Sequence, residues 1–144
     1  MLASASSFSL ISVVLPAFNE GEALQRVIPA IVDALKSETI EIIVVDDGST
    51  DGTRNSILFL KGRWPMLRYV RFSRNFGKEA ALSAGLRVAR GDAVILMDSD
   101  GQHPPALIKT FLEKWRDGFE VVCGVQVARN ETPLKKSPSA CIIG

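Results

Sequence analysis

An apolar run that ends in two carboxylates constrains this chain more than any other feature. Residues 93–97 read Ala-Val-Ile-Leu-Met, a composition typical of a β-strand buried on both faces. Asp98 and Asp100 follow directly. Because alternate residues of an extended chain point to the same side, both carboxylates are predicted to face one spot and share one cation. The run therefore predicts a buried strand with a ligand site at its carboxyl end.

Two further apolar runs, 10–15 and 40–45, also end in polar clusters. Further strands are predicted at 67–72 and 119–127, and helices at 22–36, 51–61, 78–90 and 104–117. Gly91 is predicted to end the third helix in the C′ position. Alternating strands and helices predict a mainly parallel sheet with helices on both faces, a three-layer α/β/α fold. Ligands of such sheets lie at the carboxyl ends of the strands, where all three clusters fall.

Composition and charge narrow the classes of function. A chain of 144 residues with 47% hydrophobic content suffices for one domain with a core. The net charge of +1 is scattered, which argues against nucleic acid as a partner. Cys123 and Cys141 lack metal-ligand spacing and fit a reduced cytosolic protein. No apolar run reaches the roughly 18 residues that a membrane span requires.

Several polar residues also have a purely structural interpretation. Asp46 and Asp47 could form only a turn, although adjacent carboxylates repel and a turn needs one. Segment 19–21 could cap a helix. Lys78 could be solvated, but a cation at a helix N-terminus is disfavoured, which suggests an anionic partner. His103, followed by two prolines, favours a structural role over that of a catalytic base.

Four motifs occur in order along the chain. They are Val-Val-Leu-Pro-Ala-Phe-Asn-Glu at 13–20, Val-Val-Asp-Asp-Gly-Ser-Thr-Asp-Gly-Thr at 44–53, Arg-Asn-Phe-Gly-Lys at 74–78 and Met-Asp-Ser-Asp-Gly-Gln-His-Pro-Pro at 97–105. Together they resemble the nucleotide-sugar half of a family 2 glycosyltransferase of GT-A fold. The last motif most resembles the polyprenyl-phosphate branch, which includes dolichyl-phosphate mannose synthases and undecaprenyl-phosphate sugar transferases. The resemblance spans about residues 10–130.

The resemblance implies a set of donor-binding residues. They are Pro16, Ala17, Phe18, Glu20, Asp47, Lys78, Asp98, Ser99, Asp100 and Gln102. The first four would line the nucleoside pocket. Asp47 would bond the base, and Lys78 would lie near the base or the diphosphate. Asp98, Asp100 and Gln102 would hold Mg2+ or Mn2+ against the diphosphate, and the two aspartates are the implied catalytic residues.

The implied reaction is an inverting transfer of a sugar from a nucleotide-diphosphate sugar. A divalent cation stabilises the charge that develops on the leaving diphosphate. A polyprenyl-phosphate acceptor at the cytoplasmic face of the membrane has lost its second proton above pH of about 6 and needs a positioning cation rather than a base. In that branch an arginine follows the fifth strand where this chain has Gln126, and Arg129 is the candidate substitute.

The expected organisation is a disordered lead-in at 1–9, a donor-binding domain at 10–128 and an atypical, disordered tail at 129–144. Because the family continues into an acceptor-binding half, we expect a GT-A domain truncated at its C-terminus, whose activity alone is uncertain. The flank of its last strands would be uncovered, which predicts a tendency to self-associate.

Two alternative functions share part of this pattern. A non-catalytic nucleotide-sugar-binding fragment would use every donor residue and differ only in turnover. A haloacid-dehalogenase-like phosphatase also has a strand that ends in Asp-x-Asp-Gly. That phosphatase is less favoured, because its site normally uses the first strand of the chain and leaves Asp46 and Asp47 without a role.

Overall fold

Strands and helices alternate along residues 9–99, 105–124 and 140–143, the part of the chain that the computed structural model describes. The strands are β1 Leu10–Ala17, β2 Thr39–Asp46, β3 Leu67–Arg71, β4 Ala93–Met97, β5 Val121–Gly124 and β6 Ala140–Ile143. The helices are α1 Gly21–Ala34, α2 Thr53–Arg63, α3 Lys78–Val88 and α4 Pro105–Arg116. None of the described helices is long and apolar enough to cross a bilayer.

The sheet is mostly parallel, in the order β3-β2-β1-β4-β6-β5. Strand β1 pairs in parallel with β2 and β4, and β2 with β3, whereas β6 runs antiparallel to β4 and β5. The chain moves outward from β1 to β3 and then returns to β4 on the other side of β1. The order thus reverses between β1 and β4, where open α/β sheets form their ligand crevices.

Alternation along β1 places a hydrophobic core on each face of the sheet. Ile11, Val13 and Leu15 pack with α1, α2 and α4, while Val14 lies in the core under α3. A Cβ at Gly85 of α3 would lie 2.3 Å from a methyl group of Val14, so this helix needs its small residues to approach the strand. The predicted three-layer α/β/α fold is confirmed.

The prediction that Gly91 ends α3 in the C′ position is wrong. The helix ends at Val88, and Ala89 is already extended, with φ −64° and ψ 136°. Gly91 instead lies against β1, where a Cβ would be 2.6 Å from Ser12 Oγ and 2.8 Å from the carbonyl oxygen of Ala93. Close approach of two backbone segments, rather than a left-handed turn, requires glycine here.

The prediction of a disordered tail is wrong for residues 140–143. These residues form β6, which pairs Ile142 with Ile95 of β4 and Val122 of β5. The Ile142 side chain is buried in the core that contains α1 and α4, which explains why the short strand docks. The prediction of self-association rested on an uncovered flank of the sheet. Because β6 covers the flank of β4, the structure does not support that prediction. Residues 125–139, and the lead-in at 1–8, lie outside the described residues.

Candidate functional site

A cleft of about 180 Å³ opens at the carboxyl ends of β1, β2 and β4, beside the first residue of α3. Its lining residues are Pro16, Ala17, Phe18, Glu20, Asp47, Lys78, Asp98 and Ser99. All eight belong to the donor-binding set that the motifs predict. The structure therefore brings residues from four separate motifs to one cavity, at the point where the strand order reverses.

Lys78 and Asp98 face each other across this cleft. The Lys78 ammonium forms an ion pair with Asp98 Oδ1, and their side chains are 55% and 22% exposed. Lys78 is the first residue of α3, where the helix dipole disfavours a cation. The anionic partner that the sequence suggested for Lys78 is, in this structure, Asp98.

The carboxylate of Asp98 is a suitable ligand for a divalent cation. Its carboxylate reaches the cleft and already attracts a cationic group, and hard cations prefer such oxygen ligands. The other two predicted ligands, Asp100 and Gln102, lie outside the described residues, as do Arg129 and His103. Within the described ranges, no cluster of three or more His, Cys, Asp or Glu side chains forms a complete metal site.

Asp47 holds the loop that leads into α3. Its carboxylate is buried, Oδ1 accepts the N–H of Phe76 at 2.7 Å, and Oδ2 accepts the N–H of Gly77 at 3.0 Å. Gly77 has φ 101°, a backbone conformation that favours glycine. Each carboxylate oxygen has two lone pairs, so these bonds are compatible with the predicted contact to a base. Sequence reasoning did not identify this structural task of Asp47.

The adjacent Asp46 has a different environment. It is fully buried, Oδ1 accepts the N–H of Ser49 at 2.9 Å, and Oδ2 accepts the hydroxyl of Tyr69 at 2.9 Å. Burial, together with the hydrogen bond to Asp46 and its negative charge, raises the pKa of Tyr69 to about 12. Of the two acids, Asp46 fixes the end of β2 and Asp47 faces the cleft. A purely structural interpretation holds for the first acid.

Ser99 ties the end of β4 to the end of β1. Its side chain is buried, and its hydroxyl donates to the carbonyl oxygen of Pro16 at 2.9 Å and contacts the Glu20 carboxylate. Glu20 occupies the N-cap position of α1, but its described contact is with Ser99 and not with the helix N–H groups. Ser99 is predicted to bind the donor, and the structure shows that it also holds these two loops together.

Asn19 joins the loop after β1 to the loop after β2. Its N–H donates to Ser49 Oγ at 3.0 Å, and its Oδ1 accepts the N–H of Thr50 at 2.9 Å. Asn19 has φ 53°, in the left-handed region that asparagine tolerates better than most residues. The only hint of this pairing in the sequence is that both loops follow predicted strands.

Comparison with known proteins places these observations in a family. The family model described as glycosyl transferase family 2 matches residues 12–141. An uncharacterized glycosyltransferase of Synechocystis sp. is 40% identical over 129 residues, covering 88% of this chain and 41% of that protein. A prophage bactoprenol glucosyl transferase homolog of Escherichia coli is 43% identical over 132 residues, covering 90% and 43%.

Two solved structures share the fold. A mannosyltransferase from Pyrobaculum calidifontis, in complex with GDP-Man and Mn2+, has a TM-score of 0.76 at 23% identity and covers 92% of this chain and 44% of its own. TarS of Staphylococcus aureus has a TM-score of 0.68 at 21% identity, with coverage of 92% and 46%. At these identities the likeness establishes the fold alone.

This chain spans about two fifths of the length of the curated relatives it matches. The family match extends to residue 141 and thus reaches the start of β6, whereas the predicted domain ended at 128. The family match also favours the glycosyltransferase interpretation over the haloacid-dehalogenase-like phosphatase. In this chain the Asp-x-Asp-Gly sequence follows the fourth strand, whereas that phosphatase normally carries it after its first strand. With its mostly parallel sheet and its four motifs gathered in one cleft, the chain belongs to glycosyl transferase family 2 and has the GT-A fold.

Proposed function

We propose that this chain is the donor-binding part of an inverting glycosyltransferase that takes a sugar from a UDP- or GDP-sugar. The observation that carries the proposal is the single cleft in which Asp98, Lys78 and Asp47 meet the loop after β1. Support comes from the Pyrobaculum neighbour, whose structure contains GDP-Man and Mn2+. A role as a non-catalytic nucleotide-sugar-binding unit would use the same cleft and the same contacts.

The chemistry of the cleft suits a nucleoside diphosphate. Asp98, with Asp100 and Gln102, would hold Mg2+ or Mn2+, which supplies charge stabilisation for the departing diphosphate. Phe18, which is 40% exposed at the cleft, offers an apolar face to the base. Lys78 offers an ammonium to the phosphate oxygens.

The proposed acceptor is polyprenyl phosphate at the cytoplasmic face of a membrane. Support comes from the relatives named bactoprenol glucosyl transferases. A phosphate monoester needs a cation to position it, and Arg129 is the proposed contact. This acceptor assignment extends to the whole protein, of which the described cleft provides the donor side.

The donor proposal is tested by titration calorimetry with UDP and GDP, with and without Mn2+. Nucleotide binding is expected to require the metal and to weaken at least about tenfold in Asp98→Asn. Replacing a residue that only hydrogen-bonds to a metal ligand already weakens metal affinity by about that factor, and Asp98 is proposed to be a ligand itself. Asp47→Ala is expected to weaken nucleotide binding with metal present. Asp92→Asn, at the opposite end of β4, is the matched control and should bind as the wild type does. Equal nucleotide affinity in EDTA would contradict the metal role.

A further inference from the structure

The ion pair between Lys78 and Asp98 places an internal cation where a divalent cation is proposed to bind. A lysine ammonium has three N–H donors and no acceptor, so it competes with a metal ion for the same carboxylate oxygens. The pair lies in the donor cleft itself, and the 55% exposure of the Lys78 side chain leaves its long stem free to move. Asp98 therefore has two alternative partners of the same sign.

The backbone at Lys78 is fixed from both sides. Before it, Asp47 accepts the N–H groups of Phe76 and Gly77, at 2.7 and 3.0 Å, and holds Gly77 at φ 101°. After it, Gly85 packs directly on Val14 of β1. A cation at the first position of a helix is electrostatically disfavoured, so this loop retains Lys78 against the helix dipole.

We propose that Lys78 is a built-in counter-ion of Asp98, positioned by Asp47, that a divalent cation displaces on binding. The inference rests on the proposed function, since it takes Asp98 as a metal ligand. A diphosphate in the cleft offers the displaced ammonium a new anionic partner. Metal and nucleotide therefore bind cooperatively, because the diphosphate neutralises both cations while the metal alone must break the ion pair.

The first experiment measures Mn2+ affinity without nucleotide. Electron paramagnetic resonance of free Mn2+, with the 144-residue chain, gives the dissociation constant. Lys78→Met is expected to bind Mn2+ about three- to tenfold more tightly, because the variant lacks both a surface ion pair and a repelling charge. Lys78→Arg keeps the charge and should stay near the wild type. A ligand role for Lys78 that only involves the nucleotide predicts no change.

Arg74→Met is the matched control for general electrostatics. Arg74 is also a cation of this loop, but its guanidinium lies over the Phe76 ring at 4.1 Å instead of pairing with Asp98. Its removal should change Mn2+ affinity less than about twofold, since Arg74 is exposed and solvent screens its charge. A gain equal to that of Lys78→Met would show that net charge, and not the ion pair, sets the affinity, and would overturn the inference.

Asp47→Asn tests the positioning step. Asparagine can accept only one of the two N–H bonds, so the loop and Lys78 are released, and Lys78→Met should raise nucleotide-free Mn2+ affinity less in the Asp47→Asn background than in the wild type. The double variant with Lys78→Met should bind Mn2+ no more tightly than Lys78→Met alone. If Asp47 acted only on the base, the gain in Mn2+ affinity from Lys78→Met would be the same in both backgrounds, which would overturn the positioning step.

The outcomes separate this inference from the proposed function. Mn2+ binding that is equal or weaker in Lys78→Met, with unchanged circular dichroism, overturns the inference alone. Lys78→Gln serves as a second neutral variant if the methionine variant loses its fold. An absence of Mn2+ binding in the wild type and both neutral variants, with or without GDP or UDP, overturns the metal role and the inference together.

Discussion

Replacing Glu41 with glutamine is expected to destabilise the fold by about 2 kcal/mol without changing the cleft that Lys78 and Asp98 line. Glu41 lies near the start of β2, at the opposite edge of the sheet, and is buried. Its Oε1 accepts the Ser12 hydroxyl and the N–H of Arg90, both at 2.7 Å. Its Oε2 accepts the Arg68 guanidinium at 2.9 Å. One carboxylate thus joins β1, β2, β3 and the turn before β4.

The magnitude follows from what glutamine can replace. Its single carbonyl oxygen can serve Ser12 and Arg90, but its amide then faces the Arg68 guanidinium as a second donor. A hydrogen bond to a charged group contributes about 1.5 to 3 kcal/mol, and breaking a fully buried ion pair costs about 3 to 5. Because Arg68 is 30% exposed, water recovers part of that cost, and about 2 kcal/mol remains.

Urea unfolding followed by tryptophan fluorescence measures this loss, and a fall in Tm of about 6 to 8 °C should accompany it in a chain of this size. Glu38→Gln is the matched control. Glu38 pairs with Arg116 at 2.7 Å, but its side chain is 18% exposed, against 9% for that of Glu41, and surface pairs contribute about 1 kcal/mol or less. Equal losses in the two variants would refute the reasoning, since they would show that burial of the network adds nothing.

The pH dependence provides an independent check. Burial alone would raise the pKa of Glu41, but hydrogen bonds from Ser12, Arg90 and Arg68 lower it below its ordinary value of 4.5. A carboxyl group with a lowered folded pKa stabilises the fold above its unfolded pKa, and this contribution is lost as the pH falls through the folded pKa. The stability difference between wild type and Glu41→Gln should therefore be constant near neutral pH and narrow below pH 4.5.

Three further predictions concern Tyr69 and two glycines. Tyr69 is the single tyrosine of the chain, so absorbance titration should show ionisation at about pH 12 in the folded protein and near 10.0 in urea; a native midpoint near 10.0 would contradict its bond to Asp46. Gly91→Ala should cost about 1 to 3 kcal/mol in urea unfolding because its Cβ would meet Ser12. Gly62→Ala, whose Cβ meets no described atom within 4 Å, should instead stabilise α2 by about 0.5 to 1 kcal/mol, and a loss there would contradict the argument from space.

The fold and the meeting of the four motifs could be predicted from sequence because both follow from local pattern. Strands β2 and β4 are buried on both faces, so they are nearly continuous apolar runs. Parallel strands that alternate with helices all present their carboxyl ends at one edge. It was therefore possible to predict, without knowing any side-chain contact, that residues as distant in sequence as Phe18 and Asp98 share a cleft.

The partners of individual side chains could not be predicted in the same way. Asp46 and Asp47 are neighbours in sequence, yet one bonds Tyr69 and the other bonds the backbone at Phe76 and Gly77. These choices depend on how far each loop reaches after its strand, which periodicity does not encode. The role of Gly91 escaped prediction for a similar reason, since its contact with Ser12 spans 79 positions of the chain.

Strand β6 escaped prediction because its stability is supplied by its neighbours. Four residues, Ala140–Ile143, are too few to show a period, and an isolated strand of that length has no stability of its own. Its place is set by antiparallel pairing with β4 and β5 and by burial of Ile142. The apolar content of this segment alone therefore predicts disorder, although β4 and β5 each provide a strand with which it can pair.

The ion pairs at the two ends of the parallel strands differ in what they contribute. At the starts of the strands, the charges of Glu41 and Arg68 are satisfied within the protein, together with Ser12 and the turn before β4. At the strand ends, Asp98 and Lys78 satisfy each other but remain open to the cleft. Separating an ion pair that solvent reaches costs little, whereas separating the pair of Arg68 with the buried Glu41 costs more. An ion pair thus stabilises the fold at the starts of the strands, and a second one at the strand ends stays open to the cleft, which is the property that the proposed site for a metal and a diphosphate requires.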